Sequence, residues 1–259
     1  AVPLLGIALA SALAGRSLRL AVEDVLKPLS SAPQGLEQAR QKLAWIVGRD
    51  VDGLPAPELL RALAETASEN AVDGLFAPLF WMLIGAGLWS LNPALPGPLA
   101  LAWAFKASST LDSMLGYRRG RLQWLGTAGA RLDDGLTWLP CRLLALSLGQ
   151  LGPALRDGAS DPSPNAGVSQ AAYAHALGLR LGGLNRYGGI ERAKPLLNKG
   201  GRAADQQSVQ AILAASQRSA LLWLGLSGQG YRMNNSVTVA LKRATRKACL
   251  SVYVPALFL

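Results

Sequence analysis

The chain has 259 residues, of which half are hydrophobic and only 16% are charged, against about a quarter in a typical soluble domain. That balance excludes an intrinsically disordered chain, and 28 glycines and 15 prolines without a three-residue period exclude a collagen-like one. Twenty-six basic against sixteen acidic residues leave a net charge of +10, which fits nucleic acid, anionic lipid headgroups or an anionic substrate.

The inventory of reactive side chains narrows the chemistry. Cys141 and Cys249 stand in unrelated contexts, so neither a disulfide framework nor a paired-cysteine zinc site is expected. A single histidine, His175, disfavours both a Ser-His-Asp triad and a multi-histidine metal site, and reads as a helix-face residue. No Gly-x-x-x-x-Gly-Lys-Ser/Thr run occurs, and no Gly-x-Gly-x-x-Gly follows a strand-like segment.

Ala1 to Gly15 is uncharged and apolar but shorter than the about 20 residues a spanning helix needs. It reads as part of a spanning helix in preference to a signal-peptide core. From Arg16 to Asp73 the chain is polar, with helical patterning over Leu36 to Val47 and from Pro57 to Asn70, where Pro57-Glu58 is a sound helix start. Gly74 to Phe105 then carries no charge. Asn92, Pro93, Pro96, Gly97 and Pro98 break that run near its middle, which predicts two membrane segments joined by a tight hairpin. Lys106 to Asp134 is polar again, and Gly135 to Leu155 is a third apolar stretch interrupted by Arg142. The two X-Pro steps of Asp161-Pro162-Ser163-Pro164 lead into an alanine-rich helix, followed by the glycine-rich Leu181 to Gly189. Ala211 to Leu226 is a weaker apolar candidate, and residues 227–259 carry no assignable site.

Apolar blocks alternating with charged connections predict an all-α, multi-pass helical membrane protein, because only helices satisfy their own backbone in lipid. Residues 1–226 are expected to form one membrane-embedded domain with four or five crossings, its arginine-bearing loops facing the cytoplasm. A soluble helical bundle is the alternative.

Several polar constellations interrupt the apolar blocks. Arg61, Glu65, Glu69 and Asp73 recur at steps of four, which stacks them on one helix face with Asn70 beside them. The stripe reads either as a solvated face or as three carboxylates gathered around a divalent cation such as Mg²⁺. Asp112 and the pair Asp133-Asp134 lie in the next polar segment. Arg118 and Arg119 beside Tyr117 suit membrane-surface anchors or phosphate ligands. The turn Ser163 to Gly167 opens onto a helix, where free N–H groups attract anions. Gly182 and Gly183 would let backbone approach a flat ligand or a phosphate.

In this order the segments resemble one known family. Ala39 to Asp50, Glu65 to Gly74 with Ala77 to Phe80, Thr110 to Arg118, Ala130 to Asp134, Ser163 to Gly167 and Arg180 to Gly183 look like the successive motifs of adenosylcobinamide-phosphate synthase, a membrane-bound cobalamin biosynthesis enzyme. The match covers about residues 36–187. Ser109 stands where the family usually has asparagine, and Gln170 where an acidic residue often falls nearby, so neither is carried over. The family's amino-terminal membrane segment is incomplete here, and no resemblance extends beyond about Leu226.

The resemblance implies ATP-dependent amide formation between a corrin propionate of adenosylcobyric acid and aminopropanol or its phosphate, with Mg²⁺ and a multi-pass location in the cell membrane. On that basis Glu65, Glu69, Asp73 and Asp112 are expected to be catalytic, with Glu65, Glu69 and Asp73 as Mg²⁺ ligands. Arg49, Asn70, Arg118, Arg131, Asp133, Asp134, Ser163 and Asn165 would bind substrate or phosphate, and Gly182, Gly183, Asn185 and Tyr187 would line the corrinoid or nucleotide pocket. Expected partners are membrane lipid, the corrinoid, the aminoalcohol or its phosphate, and other cobalamin-pathway membrane proteins, with no nucleic acid. The alternative is a non-catalytic membrane sensor or transporter-like relative.

Overall fold

The computed structural model describes residues 2–30, 35–115, 123–230 and 239. In chain order these form α1 (Val2–Ser11), α2 (Gly15–Leu29), α3 (Gly35–Ala44), α4 (Ala56–Ala71), a π-helical turn (Val72–Phe76), α5 (Ala77–Leu91), α6 (Pro98–Leu115), α7 (Gln123–Ser147), α8 (Leu151–Gly158), α9 (Ala166–Leu177), β1 (Leu181–Tyr187), β2 (Ile190–Leu197) and α10 (Gln206–Gly230). The helical reading therefore holds for most of the chain. It fails at the glycine-rich segment, where β1 and β2 pair antiparallel with Tyr187 opposite Ile190 across Gly188-Gly189. Both turn glycines have positive φ, 58° and 79°, as a two-residue hairpin turn requires. The Gly188-Gly189 pair carries that signal, which an all-α reading of the chain passes over.

The chain divides into two compact units. Among the described residues, one takes 2–16, 72–115, 123–141, 217–230 and 239; the other takes 17–30, 35–71 and 142–216.

In the first unit α5 and α6 form the expected helical hairpin, turned at residues 92–97. Gly85 makes the close approach, because a Cβ there would lie 2.6 Å from the Gly97 carbonyl oxygen. The π-helical turn has a local cause. Pro78 has no N–H to offer the Gly74 carbonyl four residues back, and its ring crowds that oxygen, so the helix widens over Val72–Phe76. The released Gly74 oxygen accepts the Ala14 N–H at 2.7 Å. Phe76 and Trp223 pack edge to face, 5.1 Å between centroids, and Leu79 and Met82 further along are fully buried.

The second unit is built on α4, α8 and α9. Gly158 and Gly167 let α8 and α9 meet backbone to backbone, since a Cβ on Gly158 would reach the Val168 nitrogen at 2.6 Å. Gly149, with φ of 70°, separates α7 from α8, so the third apolar stretch is two helices, not one. Tyr173 is fully buried and hydrogen-bonds Ser216 of α10 at 2.5 Å.

Among the described residues one continuous helical run, Ala56–Leu91, is long and apolar enough to cross a membrane, and α1 with α2 passes the same test only as a bent pair. That is fewer than the four or five crossings expected from the apolar blocks. The π turn lies inside this run, and Asp73 falls within it. Most of residues 227–259 lie outside the described residues.

Candidate functional site

The polar centre of the second unit is Glu65. Its side chain is fully buried, and both oxygens are taken. Oε2 pairs with Nη2 of Arg49, while Oε1 accepts Nη1 of Arg61 at 2.8 Å and the backbone N–H of Gly182 at 2.8 Å. A buried carboxylate persists only when paired and hydrogen-bonded in this way. Arg61 extends the joint, because its guanidinium also donates to Glu58 and to the carbonyls of Gly182 and Leu184, at 2.9 Å each. Asn185 Oδ1 accepts from Arg49 at 2.8 Å and from Arg61 at 3.2 Å. These contacts fasten β1 to α4, so the i to i+4 pair that looks like a surface bridge in the sequence is an internal staple.

The turn of the hairpin is held by Asp50. Its carboxylate accepts the N–H groups of Gly189 at 2.7 Å and Gly188 at 3.0 Å, and its own N–H donates to the Arg186 carbonyl at 2.8 Å. The N–H of Gly189, then that of Gly188, holds the Asp50 carboxyl below the usual aspartate range. A lowered value means the clamp is complete above the ordinary carboxylate pKa and is lost as pH falls through the folded value. Asp50→Asn is therefore expected to speed amide hydrogen exchange at Gly188 and Gly189 near neutral pH, with the wild type approaching the variant on acidification. Equal protection at neutral pH in both proteins would contradict this clamp.

A cavity of about 690 Å³ opens between the segment from Arg49 to Leu54, the start of α4 and the hairpin. Arg49, Gly182, Gly183 and Asn185, expected as site residues, are on its wall, together with Arg61, Arg180 and Arg186, which were not. Tyr187 is not on that wall. Its ring lies under the Arg192 guanidinium, 6.0 Å from the centroid. Gly182 matters for a reason other than ligand approach: with φ of 81° it passes against the Pro195 carbonyl, which leaves no room for a side chain.

Glu69 of the same helix accepts Gln170 Nε2 at 2.9 Å, and half-buried Asn70 follows it. Nearby Asp161, almost wholly buried, pairs with Lys194 of β2 at 3.5 Å. The start of α9, expected as an anion site, has part of its N–H set bonded by Ser163. Ser163 Oγ accepts the N–H groups of Asn165 and Ala166 at 3.3 and 3.1 Å, and Asn165 Oδ1 accepts Arg142 at 2.7 Å. His175, the helix-face histidine, bonds Asp157 through Nε2 at 2.7 Å.

The first unit holds the other predicted carboxylates. Asp73, in the π turn, attracts Lys106 of α6. Asp112 of α6 and Asp133 of α7 are half-buried, and Asp133 feels the charge of Asp112. Burial raises the carboxyl of Asp112, and burial with the charges of Asp112 and Asp134 pushes Asp133 up to about 6. One oxygen of Asp133 is buried without a partner. Arg131 is exposed, and Arg118 lies outside the described residues.

The expected Mg²⁺ set of Glu65, Glu69 and Asp73 is not assembled. Glu65 spends both oxygens on arginines and a backbone N–H, and the arginine charge opposes a cation. Among the described residues no three His, Cys, Asp or Glu side chains converge to hold a metal.

A family model described as CobD/Cbib protein matches residues 1–216. The chain belongs to the CobD/CbiB family. It is 46% identical over 230 residues to a "Cobalamin biosynthesis protein CobD" of Synechocystis sp., covering 86% of this chain and 65% of that protein. It is 42% identical over 190 residues to the CobD of Pelobacter propionicus, covering 69% and 55%, and 37% identical over 236 residues to a "Cobalamin biosynthesis protein CbiB" of Salmonella typhi, covering 83% and 70%. This CobD/CbiB chain thus spans about two thirds or less of the length of the first two relatives. No solved structure matches it.

Within this CobD/CbiB chain, sequence reasoning missed the structural role of Arg61 and the presence of Arg180 and Arg186 at the cavity. Arg61 had a signal, four residues before a glutamate, but that spacing is common on solvated helices. Arg180 and Arg186 had one too, because recognising Tyr187-Gly188-Gly189-Ile190 as a hairpin turn brings the flanking residues together.

Proposed function

We propose that this chain works in cobalamin biosynthesis, as its relatives' names state of them, and that it takes part in joining a propionate carboxylate of adenosylcobyric acid to aminopropanol or its phosphate. The observation that carries the reading is the cavity on whose wall Arg49 of one family-like motif meets Gly182 and Gly183 of another, beside Asn185. A carboxylate is a poor electrophile, so its oxygen first attacks the γ-phosphorus of ATP, giving an acyl phosphate and ADP. The amine nitrogen then forms the amide bond, phosphate leaves and the amine proton passes to a base. Asp73 and Asp112, both in the first unit, are the carboxylates proposed for proton transfer, and burial raises the Asp112 carboxyl above the usual aspartate range. Mg²⁺ would accompany ATP, but the Glu65, Glu69 and Asp73 set does not fit it, since Glu65 is held by Arg49 and Arg61.

Membrane residence is part of the proposal. Leu4, Leu91, Met114 and Trp124 of the first unit are among the most exposed apolar side chains, and such surface is compatible with lipid and costly in water. The arginine-bearing segments Lys106 to Asp134 and Arg156 to Arg202 would face the cytoplasm, where ATP is.

The test is product formation by membranes containing the chain, supplied with adenosylcobyric acid, ATP, Mg²⁺ and aminopropanol phosphate, and read by mass spectrometry. Asp73→Asn and Asp112→Asn are expected to abolish the cobinamide product while membrane insertion is kept. Undiminished turnover in both variants would remove these residues from the mechanism, and absence of product from the wild type would favour the non-catalytic relative.

A further inference from the structure

The charges on the cavity wall are mostly spent on the protein itself. Asp50 caps the Gly188-Gly189 turn, Glu58 pairs with Arg61, Arg186 lies 3.6 Å from Glu191, and Arg49 and Arg61 share Glu65. Two charged wall residues, both exposed, have no side-chain partner among the described residues: Arg180 and Asp52. Backbone bonds fix the position of Arg180, since its N–H donates to the Arg202 carbonyl at 2.8 Å and the Arg202 N–H donates to that of Gly178 at 2.9 Å.

A third feature is independent of these charges. Asn185 is 95% buried and turns its oxygen to Arg49 and Arg61, which fixes the amide orientation, because a guanidinium cannot accept. Its Nδ2 is left buried without an acceptor. A buried donor without a partner is costly, and such groups call for an explanation, commonly a bound ligand or water.

We infer that this cavity binds a small zwitterion, an oxyanion and an ammonium on one short organic body, with Arg180 and Asn185 taking the oxyanion and Asp52 the ammonium. The inference rests on the proposed function for the identity of that body, an aminoalcohol phosphate, and assigns it here in place of ATP or the corrinoid. Free charge of both signs on one wall disfavours a bare anion, which Asp52 repels. The volume lies within the about 300–1,000 Å³ usual for small-molecule sites and exceeds what a lone ion needs.

Calorimetric titration of the purified full chain in detergent tests this with 1-amino-2-propanol phosphate, 1-amino-2-propanol, inorganic phosphate and ATP. The aminoalcohol phosphate is expected to bind most tightly of the four. Arg180→Gln and Asn185→Asp should each weaken it by about tenfold or more, as loss of a charge-assisted bond or a new repulsion does. Asp52→Asn should bring it towards the affinity of inorganic phosphate. Arg180 and Asp52 are exposed, so unchanged melting of those variants reports an intact fold, and Asn185→Asp keeps an oxygen for both arginines. The inference is overturned if the aminoalcohol phosphate binds no more tightly than inorganic phosphate, or if Arg180→Gln and Asn185→Asp leave its affinity unchanged. Tight, Arg180-dependent binding without amide formation would reject the proposed function alone. Amide formation with binding indifferent to Arg180 and Asn185 would reject the cavity assignment alone.

Discussion

Replacing Glu65 with glutamine is expected to lower the stability of the second unit by about 3–5 kcal/mol, the cost of leaving buried charge without its partner. The substitution preserves shape and removes only the charge. Arg49 and Arg61, 9% and 13% exposed, then face one another across a neutral amide. Glutamine also turns a donor towards one guanidinium, where a second acceptor stood. Urea unfolding of the purified protein, followed by tryptophan fluorescence, measures the loss. A double-mutant cycle with Arg49→Gln separates the pair from its background, since the two side chains act as one unit and their effects should not add. A loss below about 1 kcal/mol, the range of an exposed ion pair, would show that Glu65 does not hold the hairpin to α4.

Gly182→Ala is the second large effect, and it acts through shape. A Cβ at this position would overlap the Pro195 carbonyl oxygen, and φ of 81° is a conformation that alanine rarely adopts. Neither strand can yield easily. Pro195 is ring-constrained, and the Gly182 N–H and C=O are held by Glu65 and Arg61. The expected loss is on the order of 3–5 kcal/mol, with faster hydrogen exchange along Leu181–Leu197, the hairpin loosening before the α8–α9 pair. Gly183→Ala is the control. Its nearest neighbour, a Leu196 methyl, is 3.6 Å from the added Cβ, so its cost is backbone strain at φ of 102° without the overlap. Equal effects in the two variants would show that strain alone, and not contact with Pro195, makes Gly182 necessary.

Both predictions concern residues that were legible in the sequence as important and illegible as to reason. Glu65 stood out in a stripe of carboxylates and suggested a metal, because repulsion among three like charges demands a cation. The cations turned out to be guanidinium groups, one of them Arg49 from a loop sixteen residues earlier. Helical periodicity cannot report a partner outside the helix, and it cannot foresee the π turn at Val72–Phe76 in which Asp73 lies. Gly182 suggested close approach of backbone, which is correct, but the approaching group is the neighbouring strand.

The sequence by itself determined the helices, the α5–α6 hairpin and the family, since apolar period, proline and glycine placement and motif order are local or linear properties of a chain. Only the tertiary structure decided what each charge is for. Glu65, Asp50 and Asn165 look alike as polar residues in motifs, yet each is consumed by a fold contact, while Arg180, Asp52 and the Asn185 amide are left over. That division follows from desolvation. A buried charge must find its partner within the fold, wherever in the chain that partner lies, and what remains unpaired at the cavity is what a ligand can use.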